Sequence, residues 1–147
     1  MYMNIQIREG FISDYHAIGQ ITQYELGYAC GEELLKVKLQ AALASEREKV
    51  FVALCDEKVV GYIHAENYEV LYYPSMKNLL GFAVLRDYKR KGIGTRLLNA
   101  VEEWAKETGA SGVRLNSGKI RRDAHTFYRS RGYDSEKEQI RFIKKLQ

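Results

Sequence analysis

The pattern that most constrains the fold lies in the second half of the chain, where two strand-like runs flank a long amphipathic helix. The first run, NLLGFAVL at residues 78–85, is apolar almost throughout, as expected of a strand covered on both faces. The helix begins near Gly92 and reaches a C-terminal cap at Gly109. Its apolar positions recur with a period of about 3.6 residues: Ile93, Leu97, Leu98, Val101, Trp104 and Ala105. With the short strand GVRLNS at 112–117, this pattern predicts a parallel crossover and so a mixed α/β fold.

Shorter patterns fill the rest of the chain. The predicted elements are, in order, a strand at 5–8, a helix at about 13–29 with Ser13 as its N-cap, a helix at about 32–45, two strands within 49–70 around a turn at 56–58, a helix at about 121–131, and an edge strand, QIRFIKKL, at 139–146. No repeat or linker interrupts this order. The 147 residues therefore predict a single domain spanning 1–147.

The composition excludes several classes of protein. With 46% hydrophobic and 29% charged residues, the chain has the balance of a soluble globular protein. No run approaches the roughly 18 apolar residues of a membrane span, and the first residues lack the apolar core of a signal peptide, so we expect a cytoplasmic protein without a membrane partner. Cys30 and Cys55 form no CxxC pair and have no nearby histidine pair, so the sequence predicts neither a disulfide nor a metal site.

Charge is distributed unevenly along the chain. Residues 1–85 contain 7 basic and 11 acidic side chains, whereas residues 86–147 contain 16 basic and 8 acidic ones. A basic half favours an anionic partner such as phosphate, and an acidic half can attract a cation. The alternative is that the basic half only keeps the protein soluble.

Residues 89–95, which we call the glycine turn, combine three cations with two glycines at the start of the long helix. The first amides of a helix lack intrahelical acceptors, and the helix dipole adds positive charge there, so such a turn can bind phosphate. Neither common nucleotide motif is present: Leu97 replaces the third glycine of GxGxxG, and the lysine precedes the glycines, unlike in a P-loop. Taken alone, the turn also fits an ordinary strand-to-helix connection.

Two motifs in this order resemble the GNAT superfamily of acetyl-CoA-dependent N-acetyltransferases. They are GFAVLRDYKRKGIGTRLL at 81–98 and AHTFYRSRGY at 124–133. Members of that family carry an Arg/Gln-x-x-Gly-x-Gly/Ala turn after their fourth strand and a tyrosine before a later Gly-aromatic pair. The resemblance implies a mixed, mostly antiparallel central sheet with helices on both faces, and acetyl-CoA as the acetyl donor.

The resemblance also implies roles for individual residues. The amides of the glycine turn would bind the diphosphate of CoA: Lys89, Arg90, Lys91, Gly92, Ile93, Gly94 and Thr95. The pantetheine arm would lie along the backbone of Phe82, Ala83 and Val84, like an added strand. Tyr128 would be the general acid that protonates the leaving thiolate. Two positions depart from the family: Lys89 replaces Arg or Gln and lacks a fork of donors, and Arg121 replaces a CoA-contacting Asn.

A group that accepts the proton of the attacking amine is less defined by the sequence. The candidates are Glu25 at the end of the first predicted helix, and His64 and Glu66 on the third strand, where alternation puts them on the same face as Tyr62. Asn116 is a hydrogen-bonding orienter and cofactor contact rather than a base. Some family members carry a glutamate base where this chain has Asn78, so that base is not predicted here.

The leading hypothesis is an N-acetyltransferase that moves an acetyl group to a primary amine, on a small molecule or a peptide, by direct attack in a ternary complex. A first alternative is a CoA-binding sensor that kept the cofactor turn without the chemistry. A second is a nucleic-acid-binding module using the basic half, although no recognition motif supports it, and we expect no nucleic-acid partner. The predicted edge strand at 139–146 would also allow a homodimer.

Overall fold

The computed structural model describes residues 3–135 and 137–147 and divides the chain into two compact units, residues 1–115 and 116–147. The first unit contains β1 (Ile5–Glu9), a 3-10 turn (Ile12–Asp14), α1 (Tyr15–Ile21), a π-helical turn (Thr22–Leu26), α2 (Glu32–Ala44), β2 (Glu48–Cys55), β3 (Lys58–Val70), β4 (Tyr73–Val84), a second 3-10 turn (Arg86–Tyr88), α3 (Ile93–Glu107) and β5 (Val113–Arg114). The second unit contains α4 (Arg122–Ser130).

One five-stranded sheet, in the order β1-β2-β3-β4-β5, forms the centre of the first unit. β1 to β4 pair antiparallel, whereas β5 runs parallel to β4 through the pairs Lys77–Val113 and Asn78–Arg114. The parallel crossover and the mixed, mostly antiparallel sheet are therefore confirmed. Because β5 is so short, the outer edge of β4 has no strand partner beyond Asn78 within residues 3–115.

Helices cover both faces of this sheet, as expected. On one face, α1 and α2 pack Ile18, Ile21, Leu39 and Ala42 against Val50, Val52, Tyr62 and Ala83 of the strands. On the other face, α3 buries the apolar stripe that its period predicted, with Ile93, Leu97, Leu98 and Val101 at most 1% exposed. β3 and β4, which carry most of the candidate site, are therefore packed between two helical layers.

The first helical segment ends earlier than its sequence predicted. It continues from α1 into the π-helical turn and stops at Leu26, because Gly27 adopts a left-handed conformation with φ 79° and donates its N–H to Gln23 O at 3.2 Å. The Ser13 N-cap was also wrong. Asp14 provides the side-chain bonds at this corner instead, accepting the Phe11 N–H at 2.7 Å and pairing with Arg8 at 2.8 Å.

The predicted edge strand at 139–146 is wrong as well. Residues 137–147 contain no strand, and Ile140, Phe142 and Leu146 are all exposed. The alternating pattern is present, but none of the described strands pairs with it, so this segment gives no support to the possible homodimer. Within the described parts of the chain, no helix has the length and apolar character needed to cross a membrane.

Candidate active site

The structure opens a fork between β4 and β5 at residues 78–80. β5 pairs with β4 only up to Asn78. Two residues later the pairing with β3 shifts, because His64 lies opposite Gly81 and Ala65 opposite Leu79, which leaves Leu80 as a bulge. Leu80 is 49% exposed. The two strands thus separate at the point where β4 is irregular, and the exposed Leu80 marks the fork.

Beyond the fork, the backbone groups of β4 alternate in direction between β3 and the outer edge of the strand. The Leu85 N–H donates to Val60 O at 2.8 Å, so Leu85 points its backbone groups toward β3. Because these directions alternate along a strand, Val84 and Phe82 point theirs to the outer edge and Ala83 points its own toward β3. Of the three strand residues predicted to contact the pantetheine arm, only Phe82 and Val84 therefore direct their backbone groups to the outer edge of β4.

The glycine turn connects the second 3-10 turn to α3. Gly92 is the N-cap of α3 with φ 79°, and no atom lies within 4 Å of the position that a Cβ would occupy there. The first backbone bond of the helix runs from Arg96 N–H to Gly92 O at 3.1 Å. The amides of Ile93, Gly94 and Thr95 lie in the first turn and lack intrahelical acceptors. With the exposed cations Lys89, Arg90 and Lys91 before it, this open cradle of donors fits a diphosphate.

Glu25, a predicted base, lies against the glycine turn. Its side chain is only 7% exposed, and its carboxylate accepts the Arg86 N–H at 3.0 Å. The Arg86 Nε lies 3.6 Å and the Lys89 Nζ 3.9 Å from the same carboxylate. A recess of about 470 Å³ adjoins it, lined by Tyr24, Glu25, Lys58, Leu85, Arg86, Asp87 and Tyr88. The structure thus places Glu25 beside the predicted cofactor turn, whereas Glu66 lies on β3.

Four polar residues form a row across the sheet, which we call the cross-strand row. Glu48, Glu66, Asn78 and Arg114 occupy directly paired positions on β2, β3, β4 and β5. Arg114 Nη1 donates to Asn78 Oδ1 at 2.6 Å, and Asn78 Nδ2 donates to Glu66 Oε2 at 2.9 Å. Because a guanidinium only donates, it orients the amide so that the amide nitrogen faces Glu66. The Arg114 guanidinium also lies over the Tyr68 ring, 4.3 Å from its centroid.

His64 and Tyr62 lie on the same face of β3 as Glu66, as the alternation predicted. His64 Nε2 is 2.8 Å from Glu48 Oε1, so this imidazole pairs with a carboxylate. The Tyr62 hydroxyl lies 2.8 Å from Thr22 Oγ1 and would be 3.2 Å from a Cβ at Gly81. Burial raises the pKa of Tyr62, against a smaller lowering by the Thr22 hydrogen bond, so the phenol remains protonated at neutral pH.

Tyr128 lies on α4 in the second unit. Its ring contacts Phe127 edge-on at 5.5 Å and Tyr133 at 6.0 Å between centroids. Burial raises the pKa of the Tyr128 phenol, and the nearby Arg121 charge lowers it by less. Arg121 is the exposed N-cap of α4, and Asn116 is exposed at the start of the unit. The Tyr128 phenol therefore keeps its proton at neutral pH.

Two members of the cross-strand row, Glu48 and Arg114, were not found from the sequence. They are separated by 66 positions and meet only through the register of four strands. A strand model with the correct pairings would have revealed them, because Glu48 lies opposite Glu66 and Arg114 opposite Asn78. Across residues 3–135 and 137–147, no three His, Cys, Asp or Glu side chains gather as metal ligands would.

Comparison with known proteins relates this chain to acetyltransferases over half of its length or more. The model of the acetyltransferase (GNAT) family matches residues 8–133. Aminoalkylphosphonate N-acetyltransferase of Salmonella typhimurium LT2 is 30% identical over 135 residues, covering 91% of this chain and 84% of that protein. Streptothricin acetyltransferase A of Bacillus subtilis 168 is 32% identical over 89 residues, or 50% of this chain, and the match spans 51% of that relative's length.

A solved structure shares the fold. AAC(6')-Iy in complex with the bisubstrate analog CoA-S-monomethyl-acetylneamine superposes with a TM-score of 0.85, covering 97% of this chain and 99% of that one at 16% sequence identity. At that identity the similarity shows the fold alone. The family model, by contrast, matches residues 8–133, a range that includes the glycine turn, the cross-strand row and Tyr128. The chain therefore belongs to the GNAT family of acetyltransferases.

Proposed function

We propose that this protein transfers an acetyl group from acetyl-CoA to a primary amine by direct attack in a ternary complex. The observation that carries the proposal is the open glycine turn at the N-terminus of α3, from which β4 leads back to the fork where its pairing with β5 ends. The family match runs across both compact units, which supports their working as one domain over 1–147. An enzyme that consumes acetyl-CoA needs a compartment that supplies it, so the proposed location is the cytoplasm.

The first unit provides a binding path for the donor. The glycine turn would hold the diphosphate with its amides, and Lys89, Arg90 and Lys91 would add long-range attraction. From Val84 back to Leu80, β4 rises about 13 Å at roughly 3.3 Å per residue. An extended pantetheine arm bonded to that edge would bring the thioester to the fork, next to the cross-strand row.

The attacking amine must lose its charge before it can act as a nucleophile. An alkylamine with pKa near 10.4 is neutral about once in 10³ at pH 7, which is a handicap of roughly 4 kcal/mol. Glu66 lies at the fork with Oε2 held by Asn78, and none of the described residues bonds Oε1. We assign Glu66 as the proton acceptor, directly or through one water, with His64 and Glu48 as the neighbouring pair that can pass the proton outward.

The first proton of the ammonium group leaves through Glu66 and the His64–Glu48 pair, which gives the neutral amine. The amine nitrogen then forms a bond to the carbonyl carbon and loses its second proton to Glu66, and the C–S bond breaks with its electron pair on sulfur. Tyr128 protonates that thiolate, a role that the family resemblance implies, and the resulting phenolate regains a proton from solvent. The raised pKa of Tyr128 supports this role because the phenol keeps its proton at neutral pH until the thiolate forms.

The acceptor class follows from the charge near the fork and from the relatives. Two carboxylates, Glu48 and Glu66, lie side by side in the cross-strand row, and this favours a cationic amine. Relatives that are named for aminoalkylphosphonate and streptothricin acetylation support a small-molecule amine over a protein amine. The proposed acceptor is a small primary amine.

A panel of acceptors tests this function through the release of CoA thiol from acetyl-CoA. The panel comprises an aminoalkylphosphonate, an aminoglycoside, a polyamine and a peptide amine. We expect thiol release that depends on at least one of these amines and falls at least about tenfold in Glu66→Gln, in line with loss of a general base. Acetyl-CoA binding without amine-dependent release from any acceptor would contradict the catalytic proposal.

A further inference from the structure

Glu25 joins the end of the π-helical turn to Arg86, 61 positions further along the chain, in the 3-10 turn that leads into the glycine turn. Its carboxylate accepts the Arg86 N–H at 3.0 Å and lies 3.9 Å from the Lys89 Nζ. We propose that Glu25 is a positioning residue that holds the glycine turn in shape for the CoA diphosphate, rather than the base of the reaction. This inference rests on the proposed function.

The local backbone explains why a carboxylate is needed there. Arg86 is the first residue of a 3-10 turn, so its N–H has no acceptor within that turn. Glu25 supplies the acceptor and brings negative charge to the N-terminal end of the turn, where such charge is favourable. The π-helical turn and the left-handed Gly27 end the first helical segment so that Glu25 meets Arg86.

The glycine turn needs such support because part of its backbone is strained. Arg90 is a non-glycine residue with φ 64°, a conformation that persists only where the surroundings impose it. Glu25 fixes the chain four residues before Arg90 and orients Lys89, whose side chain is 57% exposed and remains within reach of an anion. The Glu25 carboxylate contacts Arg86 and Lys89, and its side chain is only 7% exposed, so it is unsuited to receiving a proton from an acceptor amine at the fork.

Three substitutions separate positioning from base chemistry. Glu25→Ala removes the acceptor of the Arg86 N–H. Glu25→Gln keeps an acceptor oxygen without the charge, and Glu25→Asp keeps the charge but shortens the reach. The measurements are the Kd for CoA by calorimetry, and kcat and KM for acetyl-CoA. Glu103→Gln, which breaks an exposed glutamate–lysine pair on α3, is the matched control and should leave all three unchanged.

We expect Glu25→Ala to raise the Kd and KM about tenfold, equivalent to about 1.4 kcal/mol, with kcat within about twofold of wild type. Glu25→Gln should recover most of the lost affinity and bind CoA more tightly than Glu25→Asp. If Glu25 were the base, Glu25→Asp would instead keep more kcat than Glu25→Gln, because Asp can accept a proton and Gln cannot, and CoA affinity would not separate the two variants. The comparison of Glu25→Gln with Glu25→Asp therefore distinguishes the two roles even if Glu25→Ala does not fold.

The outcomes separate the two proposals. Wild-type protein that binds no CoA would overturn the proposed function itself. Wild-type binding with unchanged affinity in Glu25→Ala, or a loss of kcat at constant KM in Glu25→Gln, would overturn only the positioning role.

Discussion

Replacing Gly92 by alanine perturbs the glycine turn through its backbone alone. Gly92 has φ 79°, and a Cβ there would meet no atom within 4 Å, so Gly92→Ala introduces no clash. The cost is that of a left-handed L-residue, about 1–2 kcal/mol. In a chain of this size, 1 kcal/mol lowers Tm by roughly 2–4 °C, so we expect a fall of about 2–8 °C.

The effect on cofactor binding should exceed the effect on stability. If the alanine introduced by Gly92→Ala relaxes out of the left-handed region, the N–H groups of Ile93 and Gly94 turn away from a common anion. Losing one hydrogen bond to a charged group costs about 1.5–3 kcal/mol, so the Kd for CoA should rise by about tenfold or more. Scanning calorimetry gives the Tm, and titration calorimetry gives the Kd.

Gly109→Ala is the matched control. Gly109 follows the other end of α3 with φ 75°, and a Cβ there would again meet no atom within 4 Å. This variant should lose the same stability and bind CoA as wild type does. Equal Tm losses with equal CoA affinity would show that the glycine turn is not the diphosphate site. An unchanged Tm in both variants would refute the backbone argument.

Three further predictions concern the chemistry and its pH dependence. Tyr128→Phe should lower kcat by about tenfold or more at nearly constant KM for acetyl-CoA, and full activity would refute its role as the acid. Asn78→Ala removes the amide donor that holds Glu66 and should lower kcat by about tenfold. The control Asn67→Ala removes the side-chain hydrogen bond with Lys77 on the opposite face of the sheet, and it should lower stability without lowering kcat. Equal kcat values in the two variants would contradict the prediction. Burial raises the pKa of Tyr62, so as pH rises the unfolded chain releases the phenol proton before the folded chain does. The free energy of unfolding should therefore fall as pH rises above about 10, and it should fall less in Tyr62→Phe. Denaturant titrations at several alkaline pH values would show parallel declines if burial of Tyr62 does not matter.

The parts of the fold that were predicted correctly are those encoded locally. The period of α3 and the apolar run of β4 each lie within one continuous stretch, so the crossover followed from the sequence. The end of the first helical segment was missed because Gly27 stops the helix through its left-handed backbone, three residues before the predicted end. Residues 139–146 alternate apolar and polar side chains but form no strand, because an alternating pattern does not by itself provide a neighbouring strand to pair with.

In the candidate site, too, the features that lie within one stretch of sequence were predictable and the contacts between distant segments were not. The glycine turn was recognisable because its cations and glycines are contiguous. The contact of Glu25 with Arg86 spans two distant segments and depends on how the π-helical turn meets the end of β4, so the sequence suggested only a carboxylate at a helix end. Glu66 was found from alternation on its own strand, but its link to Arg114 through Asn78 required the register of three strands.

The central claim is that main-chain amides of the glycine turn bind the diphosphate of CoA. Amide ¹⁵N–¹H NMR spectra of the protein, titrated with CoA and separately with pantetheine, which lacks the diphosphate, test it most directly. The account predicts that the amides of residues 91–95 shift most strongly with CoA and little with pantetheine. Saturating CoA that leaves those amides unmoved while other residues shift would contradict it.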